Sequence, residues 1–356
     1  MTEIVPSYER AAGLAQSMIA TKRAGRFPFD NPKLFPDEKV PEGIERGSLD
    51  HRVYLFHAIS LDAGRQATLV YSAMQYLAEE VDLKQVHKIS KSRLLEFLEP
   101  MGGVDSIDKP ASILMHNSRI LNEKYGGDPA NIRANTIWGT IENIDAFAAY
   151  GVPKSALLMK NYVRFGIWDF PITEIPIKID RHLLRICAGY GVIDIEKYAL
   201  SLPRKMNKSM QATKEQLIRK RTFTQEDFDS GNIKILRTGK LVVPLTKTFM
   251  QVTKDLGISA IELDDAKWGI GSNLCDKNNG YACVNYCGVG CNVRYSSDNN
   301  CCWLFLGADK RRFALPLFHK GEHKRPHSFK RKPKEKPKSG NPTRILTTPL
   351  FGDNDL

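Results

Sequence analysis

The stretch from Tyr150 to Val192, YGVPKSALLMKNYVRFGIWDFPITEIPIKIDRHLLRICAGYGV, constrains this chain more than any other. Gly151-Val152-Pro153 stands between an apolar-periodic run ending at Tyr150 and a second run opening with Pro153-Lys154-Ser155-Ala156. Glycine opens dihedrals closed to other residues and proline suits the first turn of a helix, so the text predicts two helices joined by a hairpin. The second helix runs to about Phe165 and stops at Gly166. A Pro-containing extended segment, Pro171 to Ile179, leads to Asp180, which stands where an N-cap belongs and opens RHLLRICAGYG, ending at Gly189 or Gly191. Backbone N–H groups at the start of a helix form an anion site suited to a phosphate. Here Gly151 and Val152 are the donors, because Pro153 has no N–H to give. Taken alone, Asp180 is a cap and Lys154 a solvated first-turn lysine.

Elsewhere the apolar spacing is helical. Residues 4–22, the run LDHRVYLFHAISLDAG after Ser48, and stretches at about 65–80, 91–99, 109–125, 136–149, 246–256 and 259–271 are expected helices. In the second of these Val53, Leu55, Phe56 and Ile59 form the buried stripe. Lys240 to Leu245, KLVVPL, is expected to be a short strand, and long strands are absent, so the fold class is all-α. From Leu202 to Gly239 periodicity gives way to charge, which suits either an insertion near nucleic acid or a solvated helix face.

The order of hairpin, Lys154-Ser155-Ala156, helix, and then Pro-Ile-x-Ile-Asp180-x-His182-x-x-Arg185 resembles the helix-hairpin-helix DNA glycosylase superfamily, endonuclease III and its relatives. A Lys-to-Asp separation longer than in endonuclease III is similar to that of archaeal 8-oxoguanine glycosylases. The hairpin carries Gly151 followed by Val-Pro where the family has two glycines. The resemblance implies two helical domains flanking a DNA-binding cleft: 1–49 packs on the C-terminal helical domain, 50–165 forms the helical barrel domain ending in the hairpin, and 166–305 forms the second domain. It implies base excision from double-stranded DNA containing a damaged or modified base, with or without β-elimination at the resulting abasic (AP) site.

Asp180 is then the catalytic carboxylate. Breaking an N-glycosidic bond builds positive charge on the deoxyribose, which a carboxylate beside the sugar stabilises. Lys154 is the candidate amine for Schiff-base attack on C1′. Gly151, Val152, Lys154, His182 and Arg185 are the expected DNA contacts. ISLDAGRQA loosely resembles the stretch lining the family's lesion groove, which makes Ser60, Asp62 and Arg65 groove residues or, equally, part of an Asp–Arg surface pair. Trp138, Trp168, Phe170 and Tyr150 are core aromatics, or stack on an extruded base. The alternative function is a catalytically silent module of the same architecture that recognises modified or damaged DNA.

Six of the seven cysteines fall between Cys275 and Cys302, which in a large intracellular chain argues for a metal site over disulfides. Cys275, Cys283, Cys287 and Cys291 read Cx7Cx3Cx3C after Trp268. The resemblance implies a [4Fe-4S] cluster; four thiolates also serve zinc, which is the alternative. Cys301 or Cys302 can replace one of the four, and Cys187 belongs to the core.

The net charge of +12 and pI near 9.3 suit a polyanion partner. Lys320 to Lys338 carries nine Lys or Arg against Glu322 and Glu335, so 306–356 is expected to be a basic, disordered tail. It suits non-specific contact with DNA phosphates, or a nuclear-type or expression-stabilising role. MTEIVPSYER lacks signal-peptide character and no apolar run spans a bilayer, which predicts a soluble monomer in the cytoplasm, nucleoid or nucleus.

Overall fold

A computed structural model describes residues 4–25, 27–30, 35–62, 67–101, 108–198, 200–201, 211, 215, 218–219, 225–229, 233–236, 239–274 and 313–316. They are mostly helical. α1 spans Tyr8–Arg23, α2 Leu49–Leu61, α3 Ala67–Glu80, α4 Lys91–Leu98, α5 Asp108–Tyr125 and α6 Ile137–Asp145. α7 follows at Val152–Arg164, α8 at Arg181–Tyr190, α9 at Gly239–Asp255 and α10 at Ala260–Gly269. The strands among the described residues are three short ones, β1 Leu200–Ser201, β2 Ile233–Leu236 and β3 Phe313–Pro316. They pair antiparallel in the order β1-β2-β3, with Leu200 opposite Ile235 and Leu236 opposite Phe313. β3 lies within 306–356, whose other residues are outside the described set.

Side-chain caps fix where several helices start. The hydroxyls of Ser7, Ser48, Ser90, Thr136 and Ser259 each accept a hydrogen bond from the backbone N–H three residues on. Each supplies an acceptor for a donor that the first turn cannot satisfy internally, an interaction of about 1 kcal/mol. KLVVPL opens α9, with Pro244 inside the helix, and is not a strand. A short apolar run is ambiguous between the two periods. Leu241, Leu245, Phe249 and Val252 are all buried, which is the helical spacing.

α2 packs on α3, α5 and α7, and is buried on nearly all sides rather than along a stripe. α1 packs on α8, α9 and α10. α7 touches α2, α6, α9 and α10, so it contacts both sets of neighbours. Among the described residues no helix is long and apolar enough to cross a membrane.

Candidate functional site

α6 and α7 are joined by residues 146–151, and the backbone N–H groups of Lys154 and Ser155 both donate to the Gly151 carbonyl, at 3.0 and 2.9 Å. The N–H groups of Gly151 and Val152 precede these bonds and belong to the set that a helix start offers to an anion. The left-handed residue of this turn is Ala149, at φ 63°, whereas Gly151 is extended at φ 171°. Glycine at 151 therefore answers no dihedral requirement, and an added Cβ would come no nearer than 3.8 Å to Asp145 Oδ1. Lys154, in the first turn of α7, reaches α2 and donates from Nζ to the Ser60 carbonyl at 2.5 Å.

Asp180 caps α8. Its Oδ1 accepts from the N–H groups of His182 and Leu183, at 2.9 and 3.1 Å. Its Oδ2 lies 3.1 Å from Lys267 Nζ on α10, and the side chain keeps 15% of its surface accessible. Lys267 is fully buried, and its ammonium also donates to the Lys178 carbonyl at 2.9 Å and pairs with Asp264 Oδ1 at 3.0 Å. Three donors meet three acceptors. Asp264 Oδ1 accepts in turn from the Lys178 N–H at 2.9 Å, so an i,i+3 pair on α10 grips the chain just before Asp180 by both backbone polar groups of Lys178.

Burial pushes the Asp180 carboxyl up, but the Lys267 ammonium, His182 and Lys178 nearby, and the Leu183 N–H outweigh it. They hold the carboxyl well below the usual carboxylate range, and Asp180 is an anion at neutral pH. Burial pushes the Lys178 ammonium down, and Asp62 and Asp180 more than reverse this. Lys178 Nζ pairs with Asp62 Oδ2 at 2.8 Å. Asp62 is the C-cap residue of α2, two positions after Ser60. The end of α2 therefore receives Lys154 on one side and, through Lys178, the segment leading to Asp180 on the other.

A second set of ion pairs continues from Asp264. Its Oδ2 lies 3.2 Å from Lys160 Nζ, which also pairs with Asp37 at 3.0 Å and Asp265 at 3.2 Å. Arg164 adds Asp265 at 2.6 Å and Glu38 at 2.8 Å, and Lys22 of α1 reaches Asp265 at 3.2 Å. Lys160, Asp264 and Lys267 are buried, so each charge depends on its partners.

Of the residues singled out in the sequence, Lys154 and Asp180 are thus linked through the end of α2, and Gly151 and Val152 open the same helix as Lys154. His182 is the second residue of α8, with its Cβ against Gly271, where a Cβ would approach it to 2.4 Å. Arg185 is on α8, its side chain outside the described set. Ser60 is buried, and its hydroxyl donates to the His57 carbonyl at 2.7 Å, which removes it from the groove candidates. Asp62 pairs with Lys178; Arg65, its expected partner, lies outside the described residues. Trp168 and Phe170 are core, the indole N–H of Trp168 donating to the Ala130 carbonyl. Tyr150 stacks on Phe56 and donates its hydroxyl to the Phe56 carbonyl at 2.6 Å. Trp138 is part-buried under Lys247, and Cys187 is buried in the core. Cys275, Cys283, Cys287, Cys291, Cys301 and Cys302 lie outside the described residues, among which no group of His, Cys, Asp and Glu is placed to hold a metal ion.

Lys178, Lys267, Asp264 and Lys160 were not singled out by the sequence. A usable signal existed in α10, where Lys267 shares a face with Ala260 and Leu263, both buried. A charge on an apolar face announces a partner without naming it. No protein-family model matches the chain, and no curated protein matches it.

Proposed function

We propose that the chain is a DNA base-excision glycosylase of helix-hairpin-helix type, acting inside the cell as a monomer on double-stranded DNA with a damaged or modified base. In this reading two helical domains flank the DNA, and the N–H groups of Gly151 and Val152, with Lys154, His182 and Arg185, hold its backbone. The target nucleotide turns out of the stack so that its sugar meets Asp180. The carboxylate offsets the positive charge that builds at C1′ as the base departs. Lys154, once deprotonated, attacks C1′ as the base leaves; the C1′–O4′ bond then opens to give the Schiff base, and loss of a C2′ proton expels the 3′-phosphate. The observation that carries the reading is an anionic, part-accessible Asp180 at the head of α8, joined through the end of α2 to the lysine that follows the hairpin.

Cys275, Cys283, Cys287 and Cys291 would hold a [4Fe-4S] cluster, with zinc as the alternative. α10 and the π-helical turn Ile270–Leu274 bring the chain to the residue before Cys275, with Gly271 packed on His182 of α8. A centre held by four thiolates supplies folding free energy to a loop-rich segment and takes no part in base release. A blue-region absorbance band in the purified protein identifies iron–sulfur; a colourless protein with bound zinc identifies the alternative.

The deciding experiment incubates the protein with duplexes carrying a panel of modified bases and identifies released bases by mass spectrometry. Wild type releases a base and Asp180→Asn releases none while still binding DNA; full activity in the variant overturns the mechanism. Borohydride trapping on abasic-site DNA, abolished by Lys154→Ala, places the nucleophile. A second reading, the catalytically silent DNA-binding module, draws on the engagement of both Asp180 oxygens by cap and ion pair. It predicts equal affinity for intact and modified duplexes and no released base.

A further inference from the structure

We propose that Lys267 is the positioning residue of Asp180, holding the carboxylate through Oδ2 and the backbone before it through the Lys178 carbonyl, with Asp264 sharing the same ammonium. The inference rests on the reading of Asp180 as the group beside the sugar, and extends the site to α10. The geometry is specific. Lys267 Nζ lies 3.1 Å from Asp180 Oδ2, 3.0 Å from Asp264 Oδ1 and 2.9 Å from the Lys178 carbonyl oxygen, and its side chain is fully buried. A buried ammonium with every donor engaged has one orientation, and it transmits that orientation to Asp180.

The arrangement makes the charge state of Asp180 depend on Lys267. Two carboxylates converge on one nitrogen, each within about 3 Å of it. Without that cation they repel, and such a pair retains a proton that neither acid keeps alone. The other charges facing Asp180 are Lys178 and His182 from the chain on either side of it, with Asp62 already neutralising Lys178. Lys160 holds the second oxygen of Asp264. A protonated Asp180 offers a developing sugar cation nothing, so losing Lys267 raises the pH below which the site fails, even where the fold survives.

The test uses the full chain with 13C-labelled aspartate side chains, Asp180 being assigned by the resonance that Asp180→Asn removes. In wild type this carboxyl stays ionised below the ordinary aspartate midpoint. In Lys267→Met the midpoint moves up by about 1–3 pH units, and Lys267→Met/Asp264→Asn, lacking the competing carboxylate, moves it back down. The acid limb of single-turnover base release moves by the same amount in each variant. A purely structural lysine would lower the rate at every pH without moving either midpoint, and that result overturns the proposal. Asp264→Asn alone keeps the fold testable should Lys267→Met not accumulate: Lys267 then serves Asp180 undivided, so an upward move of the Asp180 midpoint also refutes it. Midpoints that move as stated, in a protein that releases no base from any duplex, support the Lys267 coupling while removing the glycosylase reading.

Discussion

Lys160→Met probes the ionic framework that holds the site. Lys160 is 3% exposed, and its Nζ lies 3.0 Å from Asp37 and 3.2 Å from each of Asp264 and Asp265. Methionine keeps the length and the apolar stem and removes the charge. Asp265 retains Arg164 and Lys22, and Asp264 retains Lys267. Asp37 loses most: its remaining hydrogen bond comes from Asn161 Nδ2 at 3.1 Å. Removing one partner from a buried ionic group costs about 3–5 kcal/mol, and the surviving partners of Asp264 and Asp265 place the expected loss near the lower figure, about 3 kcal/mol.

The pH dependence gives the sharper check. Burial pushes the Asp37 carboxyl up, but Lys160 and Arg164 reverse this and hold it well below the usual carboxylate range. A depressed carboxylate contributes stability above its unfolded pKa of about 4, and that contribution is lost as pH falls toward the folded value. In the variant Asp37 takes up a proton at higher pH, which relieves part of the damage. The gap between wild type and Lys160→Met is therefore full at pH 7 and narrows steadily as the solution is acidified. Urea unfolding followed by circular dichroism across that range measures it. An unchanged midpoint at pH 7, or a gap that widens in acid, would refute an ammonium set among three carboxylates.

Two further changes act away from these charges. Ala149 holds a left-handed backbone at φ 63° in the turn between α6 and α7, a conformation that costs a non-glycine residue about 1–2 kcal/mol. Ala149→Gly should raise stability by roughly 0.5–1 kcal/mol after the entropy of the more flexible unfolded chain is counted, and a lower melting temperature contradicts this. Burial pushes His57, fully enclosed in α2, down to about 4. A histidine kept neutral in the fold contributes stability above its unfolded pKa of about 6.5 and loses up to about 1.4 kcal/mol per pH unit as pH falls from there toward 4. His57→Leu should flatten the stability–pH curve in that window, and a curve as steep as wild type places the proton elsewhere.

The helices were legible because their start signals are local. Ser48 and Asp180 cap the helices they were expected to cap, and the apolar spacing of 137–165 gave α6 and α7. Pattern failed where it was short: KLVVPL carries strand-favouring valines, yet its apolar positions extend into a longer helical series that buries Phe249 and Val252. The need for a left-handed residue was also misplaced by two positions, because a glycine in a turn signals permission and not use. The ionic framework left almost no local trace. Asp37, Lys160 and Asp264 belong to three distant segments, and only folding reveals that their charges meet.

Because Asp180 serves as cap, ion-pair partner and proposed catalyst at once, the choice of substitution decides what an experiment can show. Alanine would remove all three roles, and a dead enzyme would say nothing about chemistry. Asparagine caps a helix about as well as aspartate, so Asp180→Asn can keep the acceptor for the His182 and Leu183 N–H groups at the start of α8. Lys267 keeps Asp264 and the Lys178 carbonyl. Asparagine removes the negative charge, which a sugar cation requires and a helix cap does not, and with it the ion pair to Lys267. A variant that folds, binds DNA and releases no base would therefore locate the loss in the charge. One that folds and releases base at the wild-type rate would reduce Asp180 to a cap held by a buried lysine.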